Sequence, residues 1–148
     1  MSAPIEQKDI VINIKSNKLD PYIELTLDVM HQFGVNYSIN YQNDNTIITI
    51  NSQYYTSPKE IILEGDYSLA ANYLVAGSLG KNITISNLNP SSKQGDKEII
   101  NILKNIGATL TINGNEISVE KNQLKPINQD LSLIPDLGPL LFALATKL

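Results

Sequence analysis

Fifteen residues from Thr26 to Asn40 align without a gap on the fifteen from Ile99 to Asn113, seventy-three positions further along. The first stretch, Leu27-Asp28-Val29-Met30-His31-Gln32-Phe33-Gly34-Val35, sets the pattern, and Ile100-Asn101-Ile102-Leu103-Lys104-Asn105-Ile106-Gly107-Ala108 repeats it. In both, apolar residues recur at helical spacing, a glycine stops the helix, and an alternating strand follows. A chain that contains such a unit twice is built by repetition. Repeated units bury their apolar faces against neighbouring copies, and too few copies leave a face uncovered. Further copies are therefore expected outside this chain.

The first copy is preceded by residues 9–15, which alternate as a strand does. Asp20 then reads as a helix N-cap and Pro21 as the first helical residue, where its missing N–H costs nothing. Ile23, Leu27 and Met30 make an apolar stripe that Tyr22, Leu25, Val29 and Phe33 widen, up to the stop at Gly34. Residues 35–41 and 46–50 read as two strands joined by a polar turn at 42–45, giving β-α-β-β.

The second copy has a longer approach. Ile61-Ile62-Leu63 reads as a short strand running through Glu64-Gly65-Asp66 into an alanine-rich helix over 68–77. Asp66 is expected to cap that helix and Gly80 to supply a left-handed residue after it. Residues 82–86 read as a strand, Gln94-Gly95-Asp96 as a turn with a second capping aspartate, and Ile99, Ile100, Ile102, Leu103 and Ile106 as a helix ended by Gly107. A hairpin over 108–112 and 116–119 turns at Asn113-Gly114. Between the copies, polar residues 51–59 with Ser57-Pro58 mark a domain crossing. Residues 140–145 at the other end are apolar on nearly every side and call for a cover that the remaining sequence does not supply, which reads as truncation.

Charge narrows the function. The net charge is −4, and all eleven basic residues are lysine. Proteins that grip phosphate or carboxylate commonly use the arginine fork, whose parallel donors match two oxygens. An acidic chain with scattered lysines also lacks the basic face that nucleic acid requires. Without cysteine there is no disulfide, thiolate-bound zinc or thiol nucleophile. No apolar run is long enough to span a membrane, and no export signal opens the chain, so a cytoplasmic setting is expected.

Four motifs in order carry a resemblance: Pro21-Tyr22-Ile23-Glu24-Leu25-Thr26-Leu27 with Phe33-Gly34-Val35, then Glu64-Gly65-Asp66-Tyr67-Ser68, then Gln94-Gly95-Asp96, then Ile134-Pro135-Asp136. Together they resemble the 5-enolpyruvylshikimate-3-phosphate synthase family, and Ser2-Ala3-Pro4 resembles the segment just after that family's serine-serine-glutamine motif. The resemblance implies an α/β fold of repeated βαβαββ units, the inside-out α/β barrel of enolpyruvyl transferases, with parts of two domains present. Residues 1–57 would end one domain and 58–148 begin the other. The implied reaction transfers the enolpyruvyl group of phosphoenolpyruvate to the 5-hydroxyl of shikimate 3-phosphate and releases phosphate through a tetrahedral intermediate. No metal or other cofactor is implied, and the chain by itself is expected to be an inactive segment.

The same resemblance gives Asp136 the role of a general base that holds substrate hydroxyls, and Tyr22 a hydroxyl near the shikimate phosphate. Read from spacing alone, Asp136 caps the helix beginning near Leu137, and Tyr22 is one more ring on the packing face of its helix. The family usually carries a phosphate-binding serine three positions before that tyrosine; this chain has Leu19 there, with Ser16 as a weak substitute. His31, the one histidine, falls opposite the apolar stripe and reads as a surface residue. Two other readings stay open. One is a segment of an enolpyruvyl transferase acting on UDP-N-acetylglucosamine, and the other is a non-catalytic βαβ binding module.

Overall fold

A computed structural model describes residues 1–6 and 8–148, and the chain separates into two compact units, Met1–Ile62 and Leu63–Leu148. In the first unit a short 3-10 turn, Ala3–Ile5, precedes β1 (Ile10–Ile14), α1 (Pro21–Gln32), β2 (Tyr37–Gln42) and β3 (Asn45–Ile50). The three strands form one antiparallel sheet in the order β1-β3-β2, with Ile10 and Tyr37 both opposite Ile50. The helix starts where the sequence requires, because the Asp20 carboxylate accepts from the Tyr22 amide and Pro21 occupies the first turn. Leu27 and Met30 then pack with Leu19, Val35, Ile48 and Ile50 into a small core.

The second unit contains α2 (Tyr67–Leu79), β4 (Ile83–Ile85), a 3-10 turn Gly95–Glu98, α3 (Ile99–Ile106), β5 (Thr109–Asn113), β6 (Glu116–Glu120), a 3-10 turn Pro135–Leu137 and α4 (Gly138–Ala145). Its sheet has the order β4-β6-β5, again antiparallel, so each sheet places the second hairpin strand in the middle. The repeat therefore extends upstream of the helix: β1 begins at Ile10 and β4 at Ile83, a separation of 83 − 10 = 73 residues. Both helices of the repeat also end in the same hydrogen-bond pattern. Val35 N–H reaches Met30 O, Gly34 N–H reaches His31 O, Ala108 N–H reaches Leu103 O and Gly107 N–H reaches Lys104 O. This is a Schellman closure around a left-handed glycine, with φ of 81° at Gly34 and 105° at Gly107.

α2 is buried along one whole side, at Tyr67, Ala70, Ala71, Leu74, Val75, Gly77 and Ser78, with Leu69 and Tyr73 exposed on the other. Its small residues permit this; any side chain at Gly77 would run into Val119 and Ile83. α3 packs on α2 and on β5, and its five isoleucine and leucine side chains fill one core with Tyr67, Leu88, Ile117, Val119, Ile134, Leu137 and Leu144. α4 buries Gly138 and Leu144, whereas Phe142 stays 69% exposed.

Three local expectations are corrected. Residues 61–63 form no strand, and Ile62 and Leu63 are exposed, because a three-residue apolar run gains ladder bonds only beside a partner. Gly80 has φ −143° and ψ −102°, outside the left-handed region, and closes the helix by donating to Gly77 O, so no left-handed residue follows α2. Asp96 caps nothing. It lies buried inside the 3-10 turn and accepts from the Ser68 hydroxyl. No helix among the described residues is long and apolar enough to cross a membrane.

Candidate functional site

Asp136 sits in the middle of the turn Pro135–Leu137 that leads directly into α4. The turn is anchored two residues before it and one after: Ile134 is 5% and Leu137 1% exposed, both inside the core of the second unit, while Pro135 between them is exposed. Ile134 N–H donates to Leu131 O, and Leu137 N–H donates to Ile134 O, which fixes the backbone through the turn. With both flanking side chains drawn inward, the carboxylate is held on the exposed side. The cap positions of the turn and of α4 belong to Ile134 and Leu137, so the aspartate does not occupy the helix-cap position that spacing alone suggested.

Tyr22 belongs to the first unit. Its amide is held by Asp20 and its carbonyl accepts from the Thr26 hydroxyl, while the ring is 53% exposed. The packing stripe runs through Leu27 and Met30, and Tyr22 lies off it. Leu19 is buried in the core of that unit, and the Ser16 hydroxyl is engaged with the Lys18 backbone, donating to its carbonyl and accepting from its amide. His31 is exposed, with its ring edge-on to Tyr37 at 6.4 Å between centroids.

The sequence treats Glu64-Gly65-Asp66 and Gln94-Gly95-Asp96 as two separate turns, but the structure joins them. Glu64 Oε1 accepts from Ser92 Oγ at 2.6 Å and from Gln94 Nε2 at 2.9 Å. Gln94 Nε2 also donates to Gly65 O, and Gln94 Oε1 accepts from Tyr67 N–H at 2.8 Å. Asp66 caps α2 through the Ser68 and Leu69 amides, and the Ser68 hydroxyl bonds Asp96 at 2.5 Å. Below this junction the Tyr67 ring is fully buried, and its hydroxyl donates to Asn89 O. Burial, reinforced by the negative charge of Glu64, pushes the Tyr67 phenol up to about 12. The only cue in the sequence was two Gly-Asp turns each preceded by a long polar side chain. Elsewhere in this unit a groove of about 370 Å³ is lined by Ser78, Leu79, Lys121, Asn122, Leu124 and Lys147, none of them a residue singled out from the sequence.

Residues 1–147 match the sequence model of a family described as EPSP synthase (3-phosphoshikimate 1-carboxyvinyltransferase). The 3-phosphoshikimate 1-carboxyvinyltransferase of Pyrococcus furiosus is 42% identical over 125 residues, covering 84% of this chain and 30% of that relative. That of Methanocaldococcus jannaschii is 40% identical over 147 residues, covering 97% of this chain and 33% of the relative. In three dimensions, EPSP synthase from Acinetobacter baumannii superposes with a TM-score of 0.66 at 22% identity, over 97% of this chain and 34% of that structure. At that identity the likeness establishes the fold. The chain thus spans about a third of the length of the curated relatives it matches.

Proposed function

This chain belongs to the EPSP synthase (3-phosphoshikimate 1-carboxyvinyltransferase) family, and from that premise we propose that it forms part of a cytoplasmic enzyme that transfers the enolpyruvyl group of phosphoenolpyruvate to the 5-hydroxyl of shikimate 3-phosphate, releasing phosphate. Residues 1–57 complete one domain of that enzyme and residues 58–148 open the other; two compact units support a two-domain division, although they part five residues later, after Ile62. The observation that carries the reading is the family match along residues 1–147.

Within it, Asp136 is the general base. An attacking hydroxyl must give up its proton as its oxygen bonds to the enolpyruvyl carbon, and a carboxylate within hydrogen-bond reach can take it. The exposed position of Asp136 between two buried anchors suits that task, since the turn is held by packing and the carboxylate is turned outward. Tyr22 presents an exposed phenol that serves as a donor to the substrate's phosphate. The chain contains no arginine, so any guanidinium fork that clamps the two anionic substrates is contributed by the rest of the enzyme.

The test is made in the full-length enzyme. Asp136→Asn keeps the shape of the side chain and removes the base, and it should lower kcat by about 10²- to 10⁴-fold, the usual worth of a positioned general base. Near-normal turnover by the folded variant overturns the role given to Asp136. Phosphate release by the 148-residue chain alone, from phosphoenolpyruvate with shikimate 3-phosphate, overturns the view that it is one part of the machinery.

A further inference from the structure

The division between the two compact units falls after Ile62, in a stretch with neither helix nor ladder from Gln53 to Asp66. Ile62 is 84% and Leu63 77% exposed, so no packing holds them. One residue later the chain is fastened from several sides. Asn87 Nδ2 donates to Leu63 O at 3.3 Å, and Gly65 N–H donates to Asn87 O at 2.6 Å. Glu64 is held by Ser92 and Gln94, and Gly65 O by Gln94. A Cβ at Gly65 would sit 2.7 Å from Asn87 O, so glycine is what permits this close approach.

Gln94 is the centre of the fastening. Its side-chain amide is engaged at both ends: both Nε2 hydrogens donate, to Glu64 and Gly65, and Oε1 accepts from the first amide of α2. Only one orientation of the amide works. A flip would set its oxygen against a carboxylate and a carbonyl, and its NH2 group against an N–H. Ser92, 3% exposed, supports it by donating to Glu64 while its hydroxyl oxygen accepts from the Gln94 backbone N–H.

We propose that Glu64, Ser92 and Gln94 form a latch that sets where the connector between the two units ends. Local freedom of the chain stops at Leu63, and releasing the latch lets the connector lengthen by peeling away up to the cap at Asp66. Gln94 is in this sense a positioning residue, acting through the backbone of residues 64–67.

Amide hydrogen exchange on the full chain, read by mass spectrometry, tests it. In the unaltered protein, amides of residues 59–63 should exchange near their intrinsic rates and those of residues 65–68 should be protected. Gln94→Met removes all three side-chain bonds at similar volume. It should speed exchange at 65–68 by about tenfold or more, while α3 exchanges as before. Ser92→Ala, a milder change, should give a smaller increase at the same residues. The latch is overturned by rapid exchange at 65–68 in the unaltered protein, by variants that leave those residues unaffected, or by acceleration of α3 to the same degree.

Discussion

The two copies of the helix-glycine-hairpin unit share strand order, helix closure and glycine stop, yet they bury their helices very differently. Of twelve residues in α1 only Leu27 and Met30 are buried, whereas five of the eight in α3 are. Positions related by the repeat show where the difference lies. Leu27 and Ile100 are both buried, as are Met30 and Leu103, each inside the core of its own unit. Thr26, Val29 and Phe33 are half-buried, while their counterparts Ile99, Ile102 and Ile106 are sealed. The second helix has α2 on its other flank, and α1 is the only α-helix in the described part of its unit. The unit itself thus dictates one buried stripe, and a neighbouring helix determines whether the next stripe is sealed or left half-buried.

Paired truncations give the strongest test of that distinction. Ile102→Ala opens a cavity in the core of the second unit and should destabilise it by about 2–5 kcal/mol. Val29→Ala at the equivalent half-buried position should cost the first unit about 0.8 kcal/mol, half the transfer energy of two methylene equivalents. Urea titration with a probe in each unit measures both. Equal costs would mean that the two helices are covered alike, and the comparison would fail.

A smaller effect separates the two glycine stops. Alanine at either position must hold a left-handed backbone, which costs about 1–2 kcal/mol. The surroundings then differ. A Cβ at Gly107 would lie 2.8 Å from the Gln123 carbonyl oxygen, whereas at Gly34 the nearest atoms are Thr56 Cβ at 3.1 Å and Oγ1 at 3.3 Å. In both copies the segment after the hairpin returns to the stop, with Thr56 N–H bonding Phe33 O and Lys125 N–H bonding Ile106 O. Backbone yields less easily than a threonine side chain, so Gly107→Ala should lower thermal stability more than Gly34→Ala. The reverse order would place the tighter return in the first unit.

Much of this architecture is legible in the residues. The stripe Leu27-Met30, the caps at Asp20 and Asp66, the stops at Gly34 and Gly107, and both hairpins follow from spacing and turn chemistry, which are local. What escapes is non-local. Ile61-Ile62-Leu63 has the composition of a strand but no ladder, and Asp96 has the look of a cap but is claimed by Ser68 from 28 residues away. The outward setting of Asp136 is foreshadowed by Ile134 and Leu137, whose apolar side chains must turn inward. Its catalytic role rests on family resemblance, because a lone carboxylate before a helix has the same local signature whether it caps or reacts. Tyr22 looked like a packing residue because it stands on a helix with apolar residues; its exposed ring shows that the stripe is narrower than the run of apolar letters.

The finest contrast between the units is in alkaline solution, where each holds a tyrosine whose phenol keeps its proton more tightly than the ordinary value of 10.0. For Tyr37, in the first unit, half-burial is the main cause, followed by the charges of Asp28 and Glu24. For Tyr67, in the second, complete burial and then Glu64 push it up to about 12. A raised folded-state value means that above pH 10 the folded chain binds more protons than the unfolded one, so stability falls as pH rises. The contribution of Tyr67 is whole below pH 10 and is lost from there through about pH 12. Unfolding titrations from pH 9 to 12 should therefore show the second unit losing stability more steeply than the first. Tyr67→Phe should flatten that slope, at a cost near neutral pH of about 1 kcal/mol for the lost bond to Asn89 O. A slope unchanged by the substitution would mean that the proton is not held there, and the burial that distinguishes the second core from the first would have to be looser than its packing implies.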